Sequence, residues 1–353
     1  MRVRFLSIAL LVGASALLAT SCGSSTATGA KTTRTVTLVT HDSFAVSKPV
    51  LAAFTKATDW KVRILKNGDA GAALNQVILT KDAPLGDVMF GVDNTFLTRA
   101  LDEHVFATYR ARGVSRIPAA FQLDRSHHAT PIDFGDVCVN ADSRWFSDHQ
   151  LEIPKTLDQL TEAKYRDLLV VENPATSSTG LAFVAATVAH SKRGWLDYWD
   201  RLRANGVKVV DGWEAAYNGE FSGAAGSKGT RPLVVSYASS PPAEVYFADP
   251  QPTTAPTVSL DATCFRQVEF AGVLRGAAHP DGARALIDFM LSARFQRDLP
   301  LSMFVDPVMP NTPLPEVFTK FATIPSRPFT LTPAQIGRDR KQWISQWTAH
   351  VLR

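Results

Sequence analysis

Small polar and acidic residues gather wherever an apolar, β-branched run of this chain ends. "THDSF" places Asp42 and Ser43 behind the run Thr35–Thr40, and "GVDN" places Asp93 behind another. "ENPATSSTG" brings Thr176 and Ser177 to the start of an apolar helical stretch. Free N–H groups and the positive dipole end make such a terminus a receptor for anionic or acceptor groups. "DGWEAAYNG" adds Trp213 and Tyr217, and "SYASSP" adds Tyr237 and Ser239. Carboxylates and aromatics at strand ends suit a flat, cationic ligand, because each ring face attracts a cation by about 0.5–2 kcal/mol. Taken singly, Asp42, Asp93 and Thr176 fit ordinary helix caps equally well. Trp213 and Tyr217, four residues apart, fit plain core packing.

The motifs of catalysis are missing. The sequence has no G-x-S-x-G elbow, phosphate-binding G-x-x-x-x-G-K-[ST], G-x-G-x-x-G or H-E-x-x-H. His41 stands beside Asp42 and Ser43, but triad members converge through the fold rather than along the chain. His127 and His128 are adjacent and point apart in regular structure, which disfavours a metal. No catalytic residue, metal or cofactor is expected, so the chain reads as a binding protein and not an enzyme.

The elements that must position these residues alternate. Strands are expected at "TVTLVT", "WKVRILKN" and "LGDVMFGVD", with helices at "SKPVLAAFTKAT" and "GAALNQVILTKD" between them. This βαβαβ order implies a parallel sheet with right-handed crossovers, and ligands of open α/β sheets sit beyond the carboxyl ends of the strands. A second α/β unit follows a change of domain near "PIDFGDVCVNAD". The chain returns at "CFRQVEFAGVLRG" and ends in helical stretches at "DGARALIDFMLSARFQRDL" and "TPAQIGRDRKQWISQWTAHVLR". The Pro/Thr-rich "FADPQPTTAPTVSLDAT" reads as an exposed excursion. The expectation is an α/β, two-domain architecture: residues 34–135 with 265–353, and residues 136–264.

The 353 residues open on a secretory pattern. Arg2 and Arg4 precede the apolar stretch Phe5–Leu18, and Ala19, Thr20 and Ser21 lead to Cys22, which resembles a bacterial lipobox. Residues 1–22 read as a lipoprotein leader cleaved before Cys22, and residues 23–33 as a flexible tether. Of the formal net charge of +4, two units belong to Arg2 and Arg4, leaving +2 and no basic stripe for nucleic acid. Export favours oxidation, so Cys138 and Cys264 are expected as a disulfide, with two separate buried thiols as the alternative.

Several motifs, in order, resemble the thiamine-binding proteins of bacterial ABC importers, which have the type II periplasmic binding-protein fold. The resemblance rests on "THDSF", "GDVMFGVDN", "PIDFGDVCVN", "ENPATSSTGL", "DGWEAAY", "LVVSYASSP" and "TPAQIGRDRKQWISQW". It implies a hinged cleft between two domains and a ligand, thiamine or a thiamine phosphate, delivered to permease subunits. It implies that Asp42, Ser43 and Asp93 lie in the cleft, that Trp213 and Tyr237 stack on the ligand's rings, and that Thr176 and Ser177 meet its hydroxyethyl or phosphate end. Phe304, in "LSMFVDP", takes the place of a family tryptophan, Ala243 that of a tyrosine, and Ala175 that of a basic residue. The implied protein is a monomer, lipid-anchored through Cys22 on the outer face of the cytoplasmic membrane. A binding protein of the same fold for a polyamine, a phosphonate or ferric iron is the alternative.

Overall fold

The computed structural model describes residues 34–353; the leader, the tether and Cys22 lie outside the described residues. The first half follows the alternating pattern: β1 (Arg34–Thr40), α1 (Lys48–Thr58), β2 (Trp60–Lys66), α2 (Ala70–Leu79), β3 (Val88–Asp93) and α3 (Leu97–Asp102). Strands β1–β2 and β1–β3 pair in parallel, as two crossover helices require. β3 is buried along its whole length, so its run of Val88, Met89, Phe90 and Val92 is apolar on both faces.

The long strand β4 (Thr130–Asp142) leads into the second half. There follow α4 (Ser143–Asp148), β5 (Leu169–Glu172), α5 (Ser178–Ser191), α6 (Trp195–Ala204), β6 (Lys208–Val210), β7 (Leu233–Tyr237) and α7 (Ser240–Tyr246). The chain returns along β8 (Thr257–Val273). It closes with α8 (Pro280–Met290), α9 (Ala293–Ser302), the short β9 (Asp306–Pro307), α10 (Glu316–Phe321) and α11 (Pro333–Val351). The sheet order is β2-β1-β3-β8-β4-β7-β5-β6, with β9 on β4.

β4 and β8 are the two strands that run through both halves. Their antiparallel register slips between Val137 and Val139, where β8 passes from Phe265 to Leu260. At that slip Cys138 is disulfide-bonded to Cys264, both fully buried. The bridge ties together the two strands that run through both halves.

Each half has its own core. Val36, Leu38, Phe54 and Phe90 pack with Leu286 and Ile287 in the first, and Val171, Phe183 and Trp199 pack together in the second. Helix α11 joins the second core. Its Trp347 is fully buried, with ring centroids 5.4 Å from Trp199, and Ile336 and Trp343 are buried beside it. Two tryptophans four residues apart present one apolar stripe, and the second core receives it. Thr98 of α3 also touches α11, donating to the Pro333 carbonyl at 3.3 Å.

One expectation needs correction. "TVSLDAT" is not part of a loop: Thr257–Ala262 forms the first stretch of β8, paired with β4 from Val139 to Asp142. The expected helical stretch "DGARALIDFMLSARFQRDL" is helical as two elements, because Ser292 starts a new helix by accepting the Phe295 N–H. Among the described residues, no helix is long and apolar enough to cross a membrane.

Candidate ligand-binding site

A cavity of about 360 Å³ opens between the two halves, within the roughly 300–1,000 Å³ of small-molecule sites. Its aromatic wall comes from a π-helical turn, Ala215–Glu220, that follows Trp213. The Trp213 and Tyr217 rings stack with centroids 4.9 Å apart and planes 13° from parallel. Trp213 is fixed by donating its indole N–H to Ser236 Oγ at 2.9 Å, and Tyr217 by donating its hydroxyl to Glu244 Oε1 at 2.9 Å. Tyr237, at the end of β7, and Phe304 also line the cavity. Phe304 has a positive φ of 54°, and its carbonyl accepts the Ser239 hydroxyl at 2.6 Å. Phe247 lies one helical turn beyond Ala243, lines the mouth, and meets Phe304 with centroids 5.5 Å apart.

The polar wall is acidic. Asp69, Glu214, Glu244 and Glu269 line the cavity, and among the described residues no lysine or arginine does so. His41, also lining it, has burial and then Lys66 holding its pKa down to about 4, so it is neutral at physiological pH. Gly91, with φ of +101°, leaves room for this imidazole: a Cβ there would sit 2.4 Å from His41 Cδ2. Tyr237 feels burial first, then the nearby carboxyls of Glu269, Asp69, Asp93 and Asp133, all of which hold its phenol protonated.

Asp69 caps α2 and reaches across the cavity. Its carboxylate accepts N–H groups from Ala70 at 2.6 Å, Trp213 at 2.8 Å and Ser178 at 3.4 Å. Burial raises its pKa, and these hydrogen bonds work against that rise. The N-termini of α2 and α5 thus meet face to face, with Ala72 N–H donating to the Thr176 carbonyl at 3.0 Å. Gly71 permits the approach, since a Cβ there would lie 2.6 Å from that carbonyl oxygen. Gly71→Ala is therefore expected to wedge the halves apart and weaken ligand binding about tenfold or more, as a lost charge-assisted hydrogen bond would. Parallel titration and thermal melts would check that affinity falls further than stability.

Of the residues expected from sequence, Ser43, Trp213, Tyr217, Tyr237 and Phe304 line the cavity. The others frame it. Asp42 is exposed and accepts the Gly68 N–H at 3.0 Å. Asp93 is fully buried and occupied by Thr95, Phe96 and Gln267. Thr176 donates its hydroxyl to the Asp211 carbonyl at 2.6 Å, Ser177 caps α5 through Gly180 N–H, and Ser239 holds the Phe304 turn. In each case a nearby backbone group claims the side chain first. Sequence reasoning missed His41, Asp69, Glu244, Phe247 and Glu269 as lining residues. Glu269 carried one signal, a lone acid within the apolar run "VEFAGV".

Residues 83–321 match the model of a family described as bacterial extracellular solute-binding protein. The chain belongs to this family. The solute-binding protein is 27% identical over 323 residues to the thiamine-binding periplasmic protein of Salmonella typhimurium, covering 90% of this chain and 94% of that one. It is also 27% identical over 323 residues to the Escherichia coli protein of the same name, with the same coverage. A solved structure titled "Periplasmic thiamin binding protein" superposes with a TM-score of 0.80 at 24% identity, covering 90% of this chain and 96% of that one. The fold is that of the two-domain periplasmic binding proteins, with the cavity in the interdomain cleft.

Proposed function

We propose that this protein captures thiamine in its interdomain cavity and delivers it to an ABC permease outside the cytoplasm, binding the vitamin without transforming it. The observation that carries the reading is the pairing of a stacked Trp213–Tyr217 wall with four lining acids and, among the described residues, no lining lysine or arginine. A thiazolium cation needs a countercharge, and a flat aminopyrimidine needs an aromatic face. The names of relatives that span nine-tenths of the chain support the same ligand. An acidic cavity disfavours the phosphate esters, so free thiamine is the preferred form. Asp42, Asp93, Thr176, Ser177 and Ser239 act by fixing the turns that carry the lining residues. The lobes close by bending at β4 and β8, and lipid on Cys22 holds the monomer to the membrane surface, as the lipobox-like leader supports.

The test is calorimetry on residues 23–353, unfolded and refolded to strip bound ligand, with thiamine, thiamine phosphate and spermidine as titrants. Submicromolar thiamine binding, tighter than for the phosphate, is expected. Binding of spermidine but not thiamine would keep the cation site and overturn the vitamin.

A further inference from the structure

Strands β3, β8 and β4 set three carboxyls in one row: Asp93 opposite Glu269, and Glu269 opposite Asp133. All three are buried, yet their situations differ. Asp93 is fully engaged by neighbouring donors. Both Asp133 oxygens and Glu269 Oε2 find no N–H or O–H donor around them. Glu269 is only 4% exposed and lines the cavity, so its carboxyl borders whatever the cavity holds. The Asp133 and Glu269 carboxyls are cross-strand neighbours on β4 and β8, and two carboxyls hydrogen-bond to each other only with a proton on one of them.

The groups facing Glu269 offer it no positive charge. His41, from the turn after β1, lies 3.9 Å away and is neutral. Asp69 comes from α2, Asp93 from β3, Asp133 from β4 and the Tyr237 phenol from β7. Asp306, on β9, presses on Asp133 in turn. Arg266, the nearest guanidinium on β8 itself, is held by Asp136 through two hydrogen bonds of 2.7 and 3.1 Å.

We propose that Glu269 is the specificity-determining countercharge of the cavity, and that it holds a proton in the ligand-free protein which an arriving cation displaces to solvent. The O–H bond of the Glu269 carboxyl breaks, its proton goes to buffer, and the carboxylate faces the cation. Asp133 keeps its own proton and donates it as a hydrogen bond to that carboxylate. Burial raises Glu269 to about 8, and the charges of Asp93 and Asp69 push the same way. Burial, and then Glu269, hold Asp133 well above the usual carboxylate range. A cation favours the ionised form, so affinity rises about tenfold per pH unit up to about 8 and then levels off. A neutral solute of the same shape gains nothing from this exchange. The inference rests on the cavity taking a cationic solute, as proposed above.

Thiamine is titrated by calorimetry at pH 7 in buffers of small and large ionisation enthalpy, which counts protons. The expected release is about one proton per thiamine, falling toward zero at pH 9. Glu269→Gln should abolish the release and weaken binding about 10- to 100-fold at pH 8. Asp133→Asn, which keeps a donor beside Glu269, should retain the release. Thiamine binding without proton release would overturn this inference and leave the ligand standing. Release lost in Asp133→Asn and kept in Glu269→Gln would overturn the assignment to Glu269. No thiamine binding at all would overturn both readings.

Discussion

Trp213→Ala is expected to weaken thiamine binding about 100-fold with little loss of fold stability. Stacking of a flat heterocycle on an aromatic side chain is worth about 1–3 kcal/mol, and a cation over the ring adds about 0.5–2 kcal/mol. The rest of the site has means to survive the change. Ser236 Oγ loses the indole N–H but keeps Ser240 Oγ at 2.8 Å. Tyr217 keeps its hydrogen bond to Glu244 and its ring contact with Phe221. The backbone N–H of residue 213 still reaches Asp69. Trp213→Phe, which retains a ring face, should recover most of the affinity. Calorimetry beside a thermal melt separates the two effects. A loss of less than about threefold would remove Trp213 from the ligand's aromatic wall.

Replacing Cys138 and Cys264 together by alanine should give the largest change in stability. The bridge closes a chain segment of 126 residues, for which loop entropy alone gives about 5 kcal/mol, and native bridges commonly contribute about 2–5 kcal/mol. In a chain of this size that lowers Tm by about 3–7 °C. Both sulfurs are buried at the register slip between β4 and β8, so mutation is a surer probe than external reductant. An unchanged Tm would mean that strand pairing on either side of the slip already fixes the two strands.

How far the sequence specifies this molecule depends on the range of the interactions involved. β1 and β3 are legible because a β-branched alternating run and a short apolar run have few other uses in an alternating α/β chain. Trp213, Tyr217 and Tyr237 are legible because large aromatics at strand and helix ends stand out. The start of β8 is not, because its Pro/Thr-rich approach resembles a loop and only pairing with β4, more than a hundred residues away, makes it a strand. Helix α11 illustrates the same limit: its tryptophan stripe is plain, but the core that receives it is set by the tertiary fold.

The acids divide for a related reason. Asp42 and Asp69 follow strands and Asp93 ends one, and each accepts backbone N–H groups. Only Asp69 also faces the cavity, and nothing within a few residues of it distinguishes that outcome. Glu269 escaped notice because it lies within a strand instead of after one. Its role depends on the register that sets it between Asp93 and Asp133.

The central claim is that the cavity selects a positively charged aromatic solute. The most direct test is the ratio of affinities, on stripped protein at pH 8, for thiamine and for its uncharged isostere in which a thiophene replaces the thiazolium ring. The two ligands share shape, aminopyrimidine and hydroxyethyl arm, so the ratio isolates the charge. Thiamine is expected to bind at least about 30-fold tighter, the worth of one desolvated cation among aromatic faces and a carboxylate. Equal affinities would contradict it, because the acids lining the cavity would then serve the fold alone.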